Sequence, residues 1–228
     1  MSEDLTFVIP AKNEGSNISY VLSEIRTYAN NSKILLVVDS DNDSTLNYLN
    51  QNQKFIKIVK NEKKGFGGAV ISGLNLADTN YCCICTADGS SNVKDFITMK
   101  EILIRDKLDI IFGSRYENNS KSEDDTLLTK FGNYFFSLIG RIFFHTKFND
   151  ILYTFVVMDA KVIKNLNLTK EDFTICLELP LNVVKKEIKY DIFPTIEKKR
   201  IDGKKKVNIF FDGLKMFLYL VKRYLYRK

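Results

Sequence analysis

The chain has little cysteine and almost no histidine. Three of its 4 cysteines, Cys82, Cys83 and Cys85, crowd into one apolar run from Tyr81 to Thr86, and Cys176 stands far off. That distribution excludes a disulfide scaffold and predicts small hydrophobes in a buried strand, in a reducing compartment. The single histidine, His145, is remote from all of them, which argues against a Cys/His metal cluster. It argues equally against a histidine general base, and a packed or interfacial side chain is the simpler reading. Long apolar runs are missing too. Charges interrupt each one well before the ~18 residues that a membrane-spanning helix needs. The acidic start, Glu3 and Asp4, leads directly into a strand-like run and does not read as a signal peptide.

What remains is ample for one large core. The 228 residues are 45% hydrophobic and 27% charged, which excludes a disordered or low-complexity chain. Charge is unevenly spread. From Lys198 to Lys228 there are eleven Lys or Arg against Asp202 and Asp212, so this tail carries +9 of a net +6 and the preceding body sums to −3. A basic tail on a faintly acidic body points to an anionic partner: phosphates, anionic lipid or nucleic acid. The tail's aromatics sit at helical spacing beside Leu and Val, with no stacking platform, so nucleic acid is not expected.

Short apolar runs alternate with amphipathic segments through the first half. Leu5–Ile9, stopped by Pro10, Lys33–Val38, Phe55–Val59, Tyr81–Thr86 and Leu108–Phe112 read as strands. Asn17–Tyr28, Thr45–Gln51, Ala69–Ala77 and Val93–Arg105 read as helices. The alternation predicts an α/β fold with a mostly parallel central sheet flanked by helices. Glu117–Asp125 reads as a mobile polar loop, Phe131–Phe144 as an aromatic-rich segment, Ile188–Phe193 as a late strand and Ile209–Tyr226 as an amphipathic helix. Residues 1–208 are expected to form the main domain, and 209–228 a basic amphipathic C-terminal helix suited to a membrane interface.

Acids stand just past successive strands: Glu14 after the first, Asp39 after the second, Asp88 after the fourth. A parallel sheet collects such positions on its carboxyl edge, where ligands bind. Carboxylates there suit Mg²⁺ or Mn²⁺, or hydrogen bonds from a base or ribose. Lys63, Lys64, Gly65, Phe66, Gly67 and Gly68 precede a helix, an arrangement that lets backbone approach an anion. It matches neither a dinucleotide fingerprint nor a Walker A loop.

Taken in order, Phe7 to Pro10 with Glu14, Val37-Val38-Asp39, Lys64-Gly65 with Gly67, Gly68 and Gly73, Ala87-Asp88-Gly89, and Gly113-Ser114-Arg115 resemble glycosyltransferase family 2. The similar branch is the polyprenyl-phosphate hexose synthases, whose basic segment is like Phe193-Pro194, Glu197, Arg200 and Gly203 to Lys206 here. The resemblance implies a GT-A fold and transfer of a hexose, mannose or glucose, from a GDP- or UDP-sugar to a polyprenyl phosphate. It implies donor binding by Pro10, Ala11, Asn13, Glu14, Asp39, Lys64, Gly68, Ala87 and Asp88, with Mg²⁺ or Mn²⁺ on Asp88 and Ser90. Catalytic roles fall to Asp88, Arg115, Arg200 and Lys206. The acceptor phosphate falls to Arg115, Lys130, Arg200, Lys204 and Lys205. The setting implied is the cytoplasmic face of a membrane, with a membrane-embedded partner subunit as a further expectation.

Three positions depart from the family pattern. Thr86 stands where a first acid would pair with Asp88, Asp39-Ser40 replaces a double acid, and Tyr153 to Val156 replaces a Gly-Phe-Arg stretch. They keep two alternatives open: a catalytically degenerate scaffold, and transfer to another glycan acceptor. A phosphate acceptor needs no general base, because its second pKa is about 6. Excess Lys and Arg would then act by neutralising two converging phosphates.

Overall fold

Strand formation follows the apolar, β-branched runs. In the computed structural model, which describes residues 4–49, 55–203 and 205–226, β1 (Leu5–Ala11), β2 (Lys33–Val38), β3 (Ile56–Lys60), β4 (Tyr81–Ile84) and β5 (Ile110–Ser114) occupy the five expected places. Lys204 and Arg227, both expected to meet anions, lie outside the described residues. With β7 (Val156–Asp159) and β8 (Tyr190–Pro194), strands β1 to β5 build a seven-stranded sheet in the order β3-β2-β1-β4-β7-β5-β8. All neighbours are parallel except β7, which runs antiparallel to β4 and β5. A small parallel pair, β6 (Lys121–Ser122) with β9 (Ile196–Glu197), sits apart.

Both faces of the sheet are covered, which is why its strands are apolar without interruption. Phe7 and Ile9 pack on one side with Ile18, Val21, Leu22 and Ile25 of α1 (Asn17–Tyr28) and Phe96, Met99 and Leu103 of α3 (Val93–Arg105). Val8 faces the other side, with Ala69, Val70 and Leu74 of α2 (Gly65–Leu76), Phe136 of α4 (Leu127–Phe144) and Leu177, Leu179 and Leu181 of α6 (Ile175–Lys185). The last helix, α7 (Ile209–Leu225), joins this second layer through Met216 and Leu220, both buried. At about 2 kcal/mol for each buried side chain of this size, those two hold α7 on the body. The short α5 (Ile163–Leu166) links β7 to α6.

Several boundaries differ from the sequence expectation. Pro10 does not stop β1. Val8 directs its carbonyl toward the β4 side, accepting from Cys85 N at 2.9 Å. Pro10, two residues on, therefore turns its missing N–H to the same side, beyond the last β4 partner, Ile84. The helix expected over 45–51 is a 3₁₀ turn, Ser44–Tyr48, capped by the Asp43 side chain. α2 begins four residues early, at Gly65. The polar stretch 117–125 carries β6 and a web of ion pairs rather than a free loop. The cysteine expectation holds: Cys82, Cys83 and Cys85 are buried, and burial pushes the thiols of Cys82 and Cys85 up to about 12.

Candidate active site

The strand-end acids do collect on the carboxyl edge, and each meets a cation. Asp88 leaves β4 in a tight turn that Gly89 closes at φ +82°. Its Oδ1 accepts from Ser90 N at 3.0 Å and Ser90 Oγ at 2.7 Å. Its Oδ2 faces Arg200 Nη2 at 3.0 Å. The segment after β9 is laid on this turn by backbone bonds, Lys198 N to Ser90 O at 2.9 Å and Ile201 N to Asp88 O at 3.1 Å. A Cβ on Gly89 would meet Ile201 Cδ1, the movable end of an exposed side chain, at 2.5 Å, so it is the positive φ that calls for glycine there. Arg200 also reaches Asp124 Oδ2 at 3.3 Å, where Lys205 joins at 3.1 Å. Burial works against the Asp124 carboxylate, but Lys205 and Arg200 hold its pKa below the ordinary value. Lys206 pairs with Glu14 and with the Lys12 carbonyl.

The β1 and β2 ends are tied together by Asn13 and Asp39, both expected at the site, and by Asp43 and Asn61, which the sequence reading did not single out. Asp43, buried, accepts from Asn13 N at 2.9 Å and from Thr45 N at 2.9 Å. Asn13 takes φ +51° and returns a bond from Ser44 N. Asp39 accepts from Asn61 Nδ2 at 3.0 Å and pairs with Lys12 at 3.0 Å. Burial opposes its charge, yet Asn61 and Lys12 bring its pKa below normal. Asn61 stands just past β3, the same strand-end signal that marked Glu14, Asp39 and Asp88, and it also bonds Gly65 O and Lys63 N.

Other expected residues do different work. Gly65, Gly67 and Gly68 make room for protein, not for an anion. A Cβ on Gly67 would sit 2.1 Å from Lys170 O, and Gly68 N donates to Glu171 O at 2.9 Å. Lys64 precedes α2 without a side-chain cap bond. Pro10 lies in β1, and Ala87 is buried beside Asp88.

Arg115 is enclosed. Nε and Nη2 grip Asp150 at 2.8 Å each, Nη1 reaches Glu197 at 3.0 Å and Asp125 at 3.6 Å, and the guanidinium lies 4.3 Å from the Tyr153 ring centroid. Burial penalises this charge, but Asp150, Glu197 and Asp125 outweigh it and raise the pKa well above normal. The guanidinium expected to hold acceptor phosphate is thus a framework hub. The Tyr153 hydroxyl, in the place of the family's Gly-Phe-Arg stretch, is buried without a hydrogen-bond partner. Next to Arg115 opens a cavity of about 800 Å³, lined by Lys130, Tyr116, Ser122, Leu127, Tyr134 and Arg141 among others.

Does the Asp88 turn suit a divalent cation? Its donors are all hard oxygens. Thr86 Oγ1, in place of the first acid, lies 3.2 Å from Ser90 Oγ and 2.8 Å from Ser91 Oγ. No three His, Cys, Asp or Glu side chains gather as a metal cage among the described residues. Mg²⁺ is commonly held by one or two carboxylates plus substrate phosphates. Asp88 with the Ser90 hydroxyl fits an ion whose shell the substrate completes.

A mostly parallel sheet with acids at its strand ends, crossed by a basic segment from late in the chain, is a GT-A fold. Residues 6–166, more than half of the chain, match the family described as glycosyl transferase family 2. The chain belongs to that family. It is 28% identical over 159 residues to a UDP-N-acetylglucosamine–dolichyl-phosphate N-acetylglucosaminyltransferase of Methanococcus voltae, covering 61% of this chain and 63% of that protein. It is 27% identical over 131 residues to a dolichyl-phosphate beta-glucosyltransferase of Dictyostelium discoideum, covering 49% and 39%. Each match thus spans less than two thirds of the relative's length. Glucosyl-3-phosphoglycerate synthase of Mycobacterium tuberculosis, solved with Mn²⁺, UDP and glucosyl-3-phosphoglycerate, superposes with a TM-score of 0.72 at 11% identity, over 97% of this chain and 80% of that one. At that identity the likeness speaks for the fold alone.

Proposed function

We propose that the chain transfers a sugar from a nucleoside-diphosphate sugar, with UDP the favoured carrier, to a polyprenyl phosphate at the cytoplasmic face of a membrane. The observation that carries this reading is the pairing of Arg200 and Lys206 with the strand-end acids Asp88 and Glu14. Two phosphates must converge for such a transfer, and Arg200, Lys205 and Lys206 bring cations to this edge, each paired with a carboxylate that a phosphate can displace. The relatives' names add a lipid-phosphate acceptor and, in one case, a UDP donor.

The acceptor phosphate oxygen attacks the anomeric carbon, the bond from that carbon to the diphosphate breaks, and the nucleoside diphosphate leaves with the electron pair. No proton has to be removed from an ionised phosphate, consistent with His145 serving only as the left-handed C-cap of α4. Asp39 and Asn61 face the nucleoside, and Asp88 with Ser90 would hold Mg²⁺ or Mn²⁺. That ion supplies charge neutralisation at the diphosphate. Arg200, Lys205 and Lys206 neutralise the remaining charge, with Lys204 a further candidate. Lys130, on the cavity wall, meets the acceptor phosphate. Arg115 positions the clasp that carries Arg200 and Lys205.

The lipid would approach along α4 and α7. Leu127 is 89% exposed, Phe131 67% and Phe210 81%, and Phe135 of α4 lies 6.2 Å from Phe217 of α7. No described helix is long and apolar enough to cross a membrane. We therefore read 1–208 as the catalytic unit and 209–228 as its interfacial element, which is also where a membrane-embedded partner would sit. The test is a screen of UDP- and GDP-sugars against a short polyprenyl phosphate, with product detected by mass. A glycosyl phospholipid is expected. Turnover confined to non-phosphorylated glycans, or no turnover with any donor, would overturn the reading and favour the alternatives kept open above.

A further inference from the structure

The two oxygens of Asp88 are not equivalent. Oδ1 is spent inside its own turn, on the Ser90 amide and hydroxyl. Oδ2 is not used in the turn and, among the described residues, meets the Arg200 guanidinium at 3.0 Å. Arg200 is not a loose surface side chain that happens to touch it. Its backbone N donates to Asp124 at 3.4 Å, its Nε to the same carboxylate at 3.3 Å, and the neighbouring Ile201 amide is bonded to the Asp88 carbonyl. Its side chain is 20% exposed and that of Asp88 13%. A carboxylate oxygen that faces a fixed positive charge at this range is a poor ligand for a second, divalent one, because the two cations repel across a weakly solvated gap.

An incoming diphosphate changes the balance. It offers oxygens to a guanidinium in the geometry that Arg prefers, and so competes with Asp88 Oδ2 for the same donor. Each Arg–phosphate bond formed frees the carboxylate that the ion requires. We propose that Arg200 is the counter-ion of Asp88 that keeps a divalent cation off this oxygen until a donor diphosphate takes the guanidinium, so that cation and donor bind as a coupled pair. The inference rests on the donor reading of this site given above. It concerns order and coupling, which that reading leaves open, and by linkage the coupling is reciprocal: the cation must tighten the diphosphate by the same factor.

The test measures Mn²⁺ binding to the full chain by electron paramagnetic resonance, without and with saturating UDP, against UDP-only blanks. Wild type should bind Mn²⁺ alone weakly and gain at least about tenfold with UDP. Arg200→Gln should bind Mn²⁺ alone about tenfold more tightly than wild type, the scale of one unit charge removed beside the site, and gain less from UDP than wild type does, keeping only the part due to diphosphate oxygens on the ion. Arg200→Lys keeps the charge and should behave as wild type without UDP, which also guards against a Gln variant that folds poorly. If Arg200→Gln binds Mn²⁺ alone no better than wild type, or Arg200→Lys binds it as tightly as Arg200→Gln, the counter-ion role is wrong. If Asp88→Asn in the Arg200→Gln background keeps the tight site, the ion sits elsewhere and this inference falls with the metal assignment. Failure of the donor reading is separable: wild type would then show no UDP binding and no sugar transfer, while the Mn²⁺-alone difference between Gln and Lys variants persisted.

Discussion

Replacing Arg115 with alanine separates a framework hub from a phosphate-binding cation. The substitution takes the cation from Asp150 and Glu197, and leaves Asp125 with Lys205 at 3.8 Å. Asp150 has no exposed side-chain surface, and Glu197 and Asp125 are 10% and 9% exposed. Breaking a buried pair by removing one partner costs about 3–5 kcal/mol, because the charge left behind is uncompensated. Part of that is recovered if Glu197 takes up a proton. Burial already pushes the Glu197 pKa up, against the pull of Arg115 and Ser122, and losing Arg115 removes the larger of those two pulls. Against a total stability of about 5–15 kcal/mol, the loss is a large fraction. For a chain of this length it corresponds to roughly 10 °C in Tm. The assay is urea denaturation and thermal melting of wild type, Arg115→Ala, Asp150→Asn and the double variant. The double variant should be more stable than the sum of the single losses predicts, by roughly 1–3 kcal/mol of coupling. A loss under about 1 kcal/mol for Arg115→Ala, with turnover nonetheless collapsed, would refute the framework role and return Arg115 to the substrate.

Three further outcomes are expected. Asp39→Ala should weaken UDP binding about tenfold by calorimetry without metal, the scale of one charged hydrogen bond; unchanged affinity would leave Asp39 as an anchor for Asn61 and Lys12 only. Stability should fall at acid pH through Asp124: its folded pKa lies below the ordinary 3.8, so the unfolded chain binds the extra proton, and the contribution is complete above 3.8 and lost as pH drops through the folded value. Asp124→Asn should flatten that acid limb of a Tm-versus-pH curve, and an unaltered limb would show that Arg200 and Lys205 do not hold the carboxylate in solution. Lys222→Gln with Arg223→Gln should reduce binding to anionic liposomes by about 1 kcal/mol per residue, most strongly at low salt, without changing turnover on a soluble acceptor. Lost soluble turnover with liposome binding intact would place α7 in the active site.

How much of this was legible in the residues differs by scale. β2 and α3 begin and end where their sequence patterns do, because a six-residue apolar run and a 3.6-residue apolar period each have one good solution in a doubly covered sheet. β7 and α6 escaped for the opposite reason. Val156–Asp159 is only four residues long, and α6 is buried on every side from Ile175 to Val183, with Pro180 inside it, so neither shows a period. The glycines before α2 were visible as a signal that backbone comes close, but the sequence does not say whose backbone. It is that of Lys170 to Asp172, a hundred residues on.

The strand-end acids were legible for a similar local reason, since a parallel sheet fixes where strand ends go. Their partners were not. Arg115 reaches Glu197 across 82 positions, Arg200 reaches Asp124 across 76, and Lys206 reaches Glu14 across 192. No spacing rule covers such pairs, because they are set by where the chain returns after β9. They change what the site is. Read from sequence, the edge is a row of carboxylates awaiting a metal and a row of cations awaiting phosphate. Folded, the two rows neutralise each other. A ligand entering that edge exchanges one set of ion pairs for another, so its net affinity is a small difference between large terms. Donor, cation and acceptor phosphate each displace part of the same web, and so their binding energies at this site are coupled rather than additive.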